Sequence, residues 1–261
     1  MPSRFVPFVL FSSLFVLSPA TTAQCSDAVS GARAYASHNW QQRVLAVRIF
    51  GARADARALA RALQDRHPLV RRAACEEMGP LGSGAAPVIE DLASSLEDSD
   101  REVRAAAALA LGWTRVRADV AIRALLAAVD ARSDRVRTNV VTSLGELRGT
   151  THDEAIVRAL TVHLGDKSPF VRDAATRSLS WVLRDTPQLA PVTFDALRAT
   201  DWRARARACH ALGAALRTLE HSDASPVDGG LERSVRAALC RASRDTYVRV
   251  RNAAAIALAS R

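Results

Sequence analysis

From about residue 40 onward, short polar turns alternate with runs in which apolar residues recur three and four positions apart. Two of these runs are "DSDREVRAAAALALGWTR" (98–115) and "DKSPFVRDAATRSLSWVL" (166–183). In each, an acid and small polar residues lead into a Val-Arg pair, followed by small and apolar positions. Counted from the Val, slots zero, four, seven, eight and eleven are small or apolar, as in Val136, Val140, Ser143, Leu144 and Leu147. At about 100° per residue these positions form one stripe, which predicts an amphipathic helix. Asn39, Asp100, Ser133, Ser168 and Asp201 lie three residues before the slot, where a side-chain oxygen can cap free backbone N–H groups. Pro68 and Pro169 follow, at a first-turn position that tolerates proline. Another helix precedes each of these: "AAPVIEDLASSLED", "ADVAIRALLAAVDA" and "DEAIVRALTVHLGD" carry the same three-and-four spacing. Period-two alternation is missing, so no strand is predicted.

The unit repeats. Val70, Val103, Val136, Val171, Ala204 and Val250 occupy one slot, and Arg71, Arg104, Arg137, Arg172, Arg205 and Arg251 follow them. Three of the five intervals are 33 residues, one is 35 and the last is 46. Gln42-Arg43 reads as a degenerate earlier copy, because Gly51 falls where Gly79, Gly112, Gly145 and Gly213 fall in theirs. A fixed period in this range marks a solenoid, in which no unit buries its stripe alone. The stretch 217–230, polar with Gly and Pro, reads as an extended loop that accounts for the long interval.

On these residues the chain resembles HEAT repeats, especially the short, phycobilisome-lyase-like kind, over roughly residues 26–261. The resemblance implies an all-α fold, a right-handed α-α superhelix (HEAT-type solenoid) of about seven two-helix repeats. In that family the Asp and Arg hydrogen-bond across the inner turn and to the neighbouring unit, making a ladder. Carried over position by position, the ladder residues here are Asp65, Arg71, Asp98, Arg104, Arg137, Asp166, Arg172, Arg205, Asp245 and Arg251. A guanidinium suits this role because its rigid fork serves several carbonyls and carboxylates together. Ala131 and Ala199 replace the acid, so the expected breaks fall in the fourth and sixth units. On that reading Arg137 lacks its partner and Arg104 has Asp98.

The N-terminus carries a different signal. Arg4 precedes an apolar stretch from Phe5 to Leu17, and small residues run up to Ala23. Residues 1–23 read as a secretory signal peptide, with 24–261 as the solenoid. The expected location is periplasmic or extracellular. No later stretch approaches the ~20 apolar residues of a membrane span, so the cleaved chain is not expected to be an integral membrane protein. The formal charge of +9 becomes +8 on loss of Arg4, and Lys167 is the only lysine. Such an Arg-rich chain attracts anionic partners, but export argues against a specific nucleic acid. Cys25, Cys75, Cys209 and Cys240 could form two disulfides or remain as free, half-buried thiols, and the lack of any CxxC spacing suggests neither a redox motif nor a zinc knuckle.

Candidate chemistry is sparse. HEAT-type deoxyhypusine hydroxylases carry His-Glu pairs after the Val-Arg position, where this chain has Arg72-Ala73, Ala105-Ala106, Thr138-Asn139, Asp173-Ala174, Ala206-Arg207 and Asn252-Ala253. The six histidines show no zinc-like spacing, and His152-Asp153-Glu154 reads as a helix start. No catalytic residue, metal ligand or cofactor is assigned. The family places the second helices on the concave side, with slots two, six and ten facing outward. These supply Arg72, Glu76, Leu109, Trp113, Thr142, Arg177, Trp181 and His210 as candidates for contact with a protein partner. The expectation is a monomeric, exported scaffold that binds another protein. Its alternative is an enzyme or enzyme subunit related to HEAT-type lyases and hydroxylases, without the iron ligands.

Overall fold

A computed structural model of the protein describes residues 28–116, 119–221 and 226–259. The segment read as a signal peptide, together with Cys25, lies outside the described residues. Helices follow one another in pairs, with no strand among the described residues. The first two pairs are α1 (Ala28–Tyr35) with α2 (Trp40–Ala52) and α3 (Ala56–Ala62) with α4 (Pro68–Met78). A 3₁₀ segment, Gly79–Val88, leads into α5 (Ile89–Ser94), which pairs with α6 (Arg101–Thr114). Next come α7 (Asp119–Ala127) with α8 (Asp134–Glu146) and α9 (Asp153–His163) with α10 (Pro169–Asp185). In the sixth pair a 3₁₀ segment, Pro187–Arg198, replaces the first α-helix before α11 (Trp202–His221). Pro191 explains it, because a proline inside a helix removes an N–H and clashes with the preceding turn, whereas Pro187 stands at the tolerated first turn. The last pair is α12 (Pro226–Ala242) with α13 (Val248–Ala259).

Burial follows the stripe. Val136, Val140, Ser143, Leu144 and Leu147 are all buried, as are Val171, Ala175, Ser178, Leu179 and Val182 at the same slots of the next unit. The caps are used in part. Asn39, Asp100 and Asp201 each accept a backbone N–H two residues on, whereas Ser133 and Ser168 make no such bond. In the second unit His67 takes the role, its ring nitrogen accepting from the Leu69 N–H.

Successive second helices pack closely on one another, from α2 through α13, while the first helices touch their counterparts less. The second helices thus form one continuous, closely packed row, here called the inner face. Close spacing has a local cause. A Cβ built on Gly112 would stand 2.8 Å from the Ser143 Cα, and one on Gly145 would stand 3.0 Å from the Ser178 Cα. Slot nine of one unit thus abuts slot seven of the next, and only glycine against a small residue permits that approach. Ser143 also donates to the Ala108 carbonyl at 2.7 Å, tying the two helices together.

One expectation is corrected. Most of the stretch 217–230 is helix rather than extended loop: α11 continues to His221 and α12 begins at Pro226, with residues 222–225 outside the described ones. Leu216 and Leu219 are buried on this extension, and Glu220 accepts from the Arg236 guanidinium. Burial and this pairing outweigh the polar composition, and the long interval goes into longer helices.

Candidate functional site

The turns between first and second helices carry a row of arginine–aspartate rungs, each spanning two units. Nε and Nη2 of Arg43 donate to Asp65 at 2.7 and 2.8 Å, and those of Arg71 donate to Asp98 at the same distances. Arg137 grips Asp166 at 2.8 and 2.9 Å, and Arg205 grips Asp245 at 2.8 and 3.0 Å. Each arginine also donates Nη1 to its own unit's turn, as Arg137 does to the Ala131 carbonyl at 2.8 Å. Each aspartate in addition accepts the backbone N–H two residues on, so one carboxylate fixes both a turn and a neighbour. Burial pushes the Asp65, Asp98 and Asp166 carboxyls up, but the arginine and backbone hydrogen bonds outweigh it and hold them below the usual range. At Asp245 the Arg205 bond is itself the largest influence, and its pKa too is lowered.

This geometry corrects the expected pairing. The aspartate of a unit serves the arginine of the unit before it, not its own. Arg137 is therefore fully paired, through Asp166, although Ala131 stands in its own turn. The open positions fall at Arg104 and Arg172, which face Ala131 and Ala199 of the following units. Arg104 donates Nη1 to the Asp98 and Ser99 carbonyls, and Arg172 to those of Asp166 and Lys167. Neither has a carboxylate partner among the described residues. Arg251, in the last unit, likewise holds only backbone carbonyls. Arg43, read from the sequence as part of a degenerate copy, is a complete member.

On the inner face, six of the eight proposed contact residues divide between two grooves. Arg72, Glu76, Leu109 and Trp113 line one groove of about 710 Å³ along the first four units. Arg72 and Glu76 pair there at 2.7 Å, and Trp113 covers Gly79 with one ring edge while 46% of it stays exposed. Arg177 and His210 line a second groove of about 680 Å³ across the fifth to seventh units. Burial by the groove walls lowers the pKa of His210, and the Arg207 charge adds to it. Trp181, half-buried, lies beside Arg217 and His221 and carries the Arg148 guanidinium 6.0 Å above its ring. Thr142, in the fourth unit, lines neither groove and turns its hydroxyl back to the Thr138 carbonyl.

Several groove residues escaped the sequence reading. Glu102 and Arg135 line the first groove, and Arg203 and Arg249 the second, all one residue before the slot. A helix of 3.6 residues per turn puts that position on the same side as slots two and six, which is the signal that would have found them. Arg203 and Arg249 stack on Trp202, with guanidinium carbons 4.7 and 5.1 Å from the ring centroid.

The described cysteines are free thiols: Cys75 and Cys209 are buried and Cys240 is exposed. Burial pushes the pKa of Cys75 and of Cys209 up to about 12, which keeps both unreactive. Among the described residues no group of three His, Cys, Asp or Glu is placed to hold a metal ion, and no helix is long and apolar enough to cross a membrane.

Stacked helical pairs with a closely packed inner row define an α-solenoid. The sequence matches HEAT repeats in overlapping windows, 31–112, 56–145, 89–180 and 122–213. The chain belongs to the HEAT-repeat family. Its fold is similar to that of an engineered protein at 16% identity and a TM-score of 0.56, over 87% of this chain and 66% of the other. It is also similar to the complex of CpcE and CpcF of phycocyanin lyase from Nostoc sp. PCC7120. There the identity is 19% and the TM-score 0.50, over 97% of this chain and 98% of that one. At these identities the likeness is one of fold. No curated protein matches the chain.

Proposed function

We propose that this protein is an exported scaffold that binds a partner protein along the inner face of its second helices. One observation carries the reading: large apolar side chains stand exposed on that face beside two grooves. Trp113 keeps 46% of its surface exposed and Phe170 keeps 71%. Phe170 sits one residue before its slot, where Arg135, Arg203 and Arg249 line grooves in other units. Aromatic and arginine side chains ringed by polar ones are the usual composition of binding hot spots. The fold likeness to phycocyanin lyase supports the solenoid and brings no activity with it.

Photo-crosslinking groups placed at Leu109 and Arg177 are expected to capture one partner. The same groups at Arg57 in α3 and Arg158 in α9, on the first helices, are expected to capture none. Capture from the first helices alone, or from neither face, would sink this reading. Export is tested separately with a reporter fused after residue 25, and strict cytoplasmic retention would remove that part.

A further inference from the structure

The two inner grooves differ in charge. The groove of the first four units is lined by three arginines and three glutamates. The one across the fifth to seventh units is lined by five arginines and a single aspartate, Asp173. Only two of those arginines have a carboxylate within reach: Arg207 meets Asp173 at 2.9 Å, and Arg203 meets Asp201 at 3.7 Å. Arg172, Arg177 and Arg249 have none among the described residues. The two arginines stacked on Trp202 bring their charge to the groove.

The open rung lies at this same groove. Arg172 lines it, and its Nε is buried and donates to no acceptor. In the four closed rungs that nitrogen, with Nη2, holds an aspartate; here the position belongs to Ala199. A buried donor without an acceptor is costly, and a carboxylate from outside would remove the cost.

We propose that the groove of the fifth to seventh units takes an acidic segment of a partner protein. One carboxylate completes the rung at Arg172, while Arg203 and Arg249 hold others beside Trp202. This rests on the scaffold reading above and gives its partner a chemistry. The unpaired charge concentrates in this one groove, with a neutral groove further along the same face. That short footprint suits a few acidic side chains better than the long phosphate row of a nucleic acid.

The test uses a fluorescent peptide of glutamate and serine, titrated into the purified protein and followed by anisotropy. The double variant Arg203→Ala with Arg249→Ala is expected to weaken binding by about tenfold, as for charges at the centre of an interface. Arg57→Ala with Arg61→Ala removes the same charge from α3 and is expected to weaken it less than about twofold. Ala199→Asp closes the rung from within, so it is expected to raise the melting temperature and lower peptide affinity together. Circular dichroism checks that each variant is folded. Equal losses in the two double variants would reduce the effect to general charge and overturn the proposal. So would undiminished affinity in Ala199→Asp, or tighter binding of a single-stranded oligonucleotide or of phosphatidylglycerol vesicles at these arginines. Crosslinking from Leu109 to a partner, with no peptide binding, would discard the acidic segment and leave the scaffold reading intact.

Discussion

Arg104 and Arg137 occupy the same slot one unit apart, yet they hold different partners. Arg137 is clamped by both oxygens of Asp166, with each side chain more than nine-tenths buried, while Arg104 holds only backbone carbonyls. Lysine keeps the charge and loses the planar fork. Arg137→Lys is therefore expected to cost about 2 kcal/mol, and Arg104→Lys under about 1 kcal/mol, measured by denaturant unfolding. Equal losses at the two sites would show that the carboxylate grip contributes nothing. The same rungs set a pH dependence. Asp65, Asp98, Asp166 and Asp245 have lowered pKa values in the fold, so the unfolded chain binds more protons in acid. Their contribution is complete above the unfolded value of about 4 and fades as pH falls through the lowered native values. Melting temperature is expected to drop in that window, and Asp98→Asn is expected to flatten the drop.

Between helices, the determining contact is a glycine in one against a small residue in the next. Gly145→Ala puts a methyl group 2.6 Å from the Ser178 Cβ, so α8 and α10 must separate. The expected cost is about 1–3 kcal/mol, against the slight gain that alanine brings to an isolated helix. A stabilised variant would show that the helices can shift apart freely. The helices themselves were legible in the sequence wherever the stripe was unbroken, because burial and periodicity agree there. The 3₁₀ segment at Pro187–Arg198 and the helical ends near 217–233 were not. Pro191 limits the first to 3₁₀ geometry, and in the second the burial of Leu216 and Leu219 and the Arg236–Glu220 bond outweigh a polar composition. The rungs were half legible. Spacing identified the residues, but an aspartate six positions before an arginine gives no hint that its carboxylate faces the preceding unit.

Across the whole molecule, each unit touches its neighbours and little else, so damage should stay local. Val136 is 1% exposed where the fourth unit meets the units beside it. Val136→Asp buries an unpaired charge and is expected to cost about 3–5 kcal/mol. Hydrogen exchange should accelerate most around residues 120–180 and least in α1 and α13. Uniform acceleration would mean that the array unfolds as one body. The inner face was legible only in part, since slots two, six and ten were foreseen and the residue before the slot was not. The offset of the rungs also bears on how such an array can lengthen. A unit's acid serves the unit before it and its arginine the unit after, so each unit carries halves of two rungs. Copying the second unit, with Asp65 and Arg71, would add a closed rung between the copies. Copying the sixth, with Ala199 and Arg205, would set the arginine of one copy against the alanine of the next. Growth by duplication would therefore multiply either clasps or vacant carboxylate seats, according to which unit was copied.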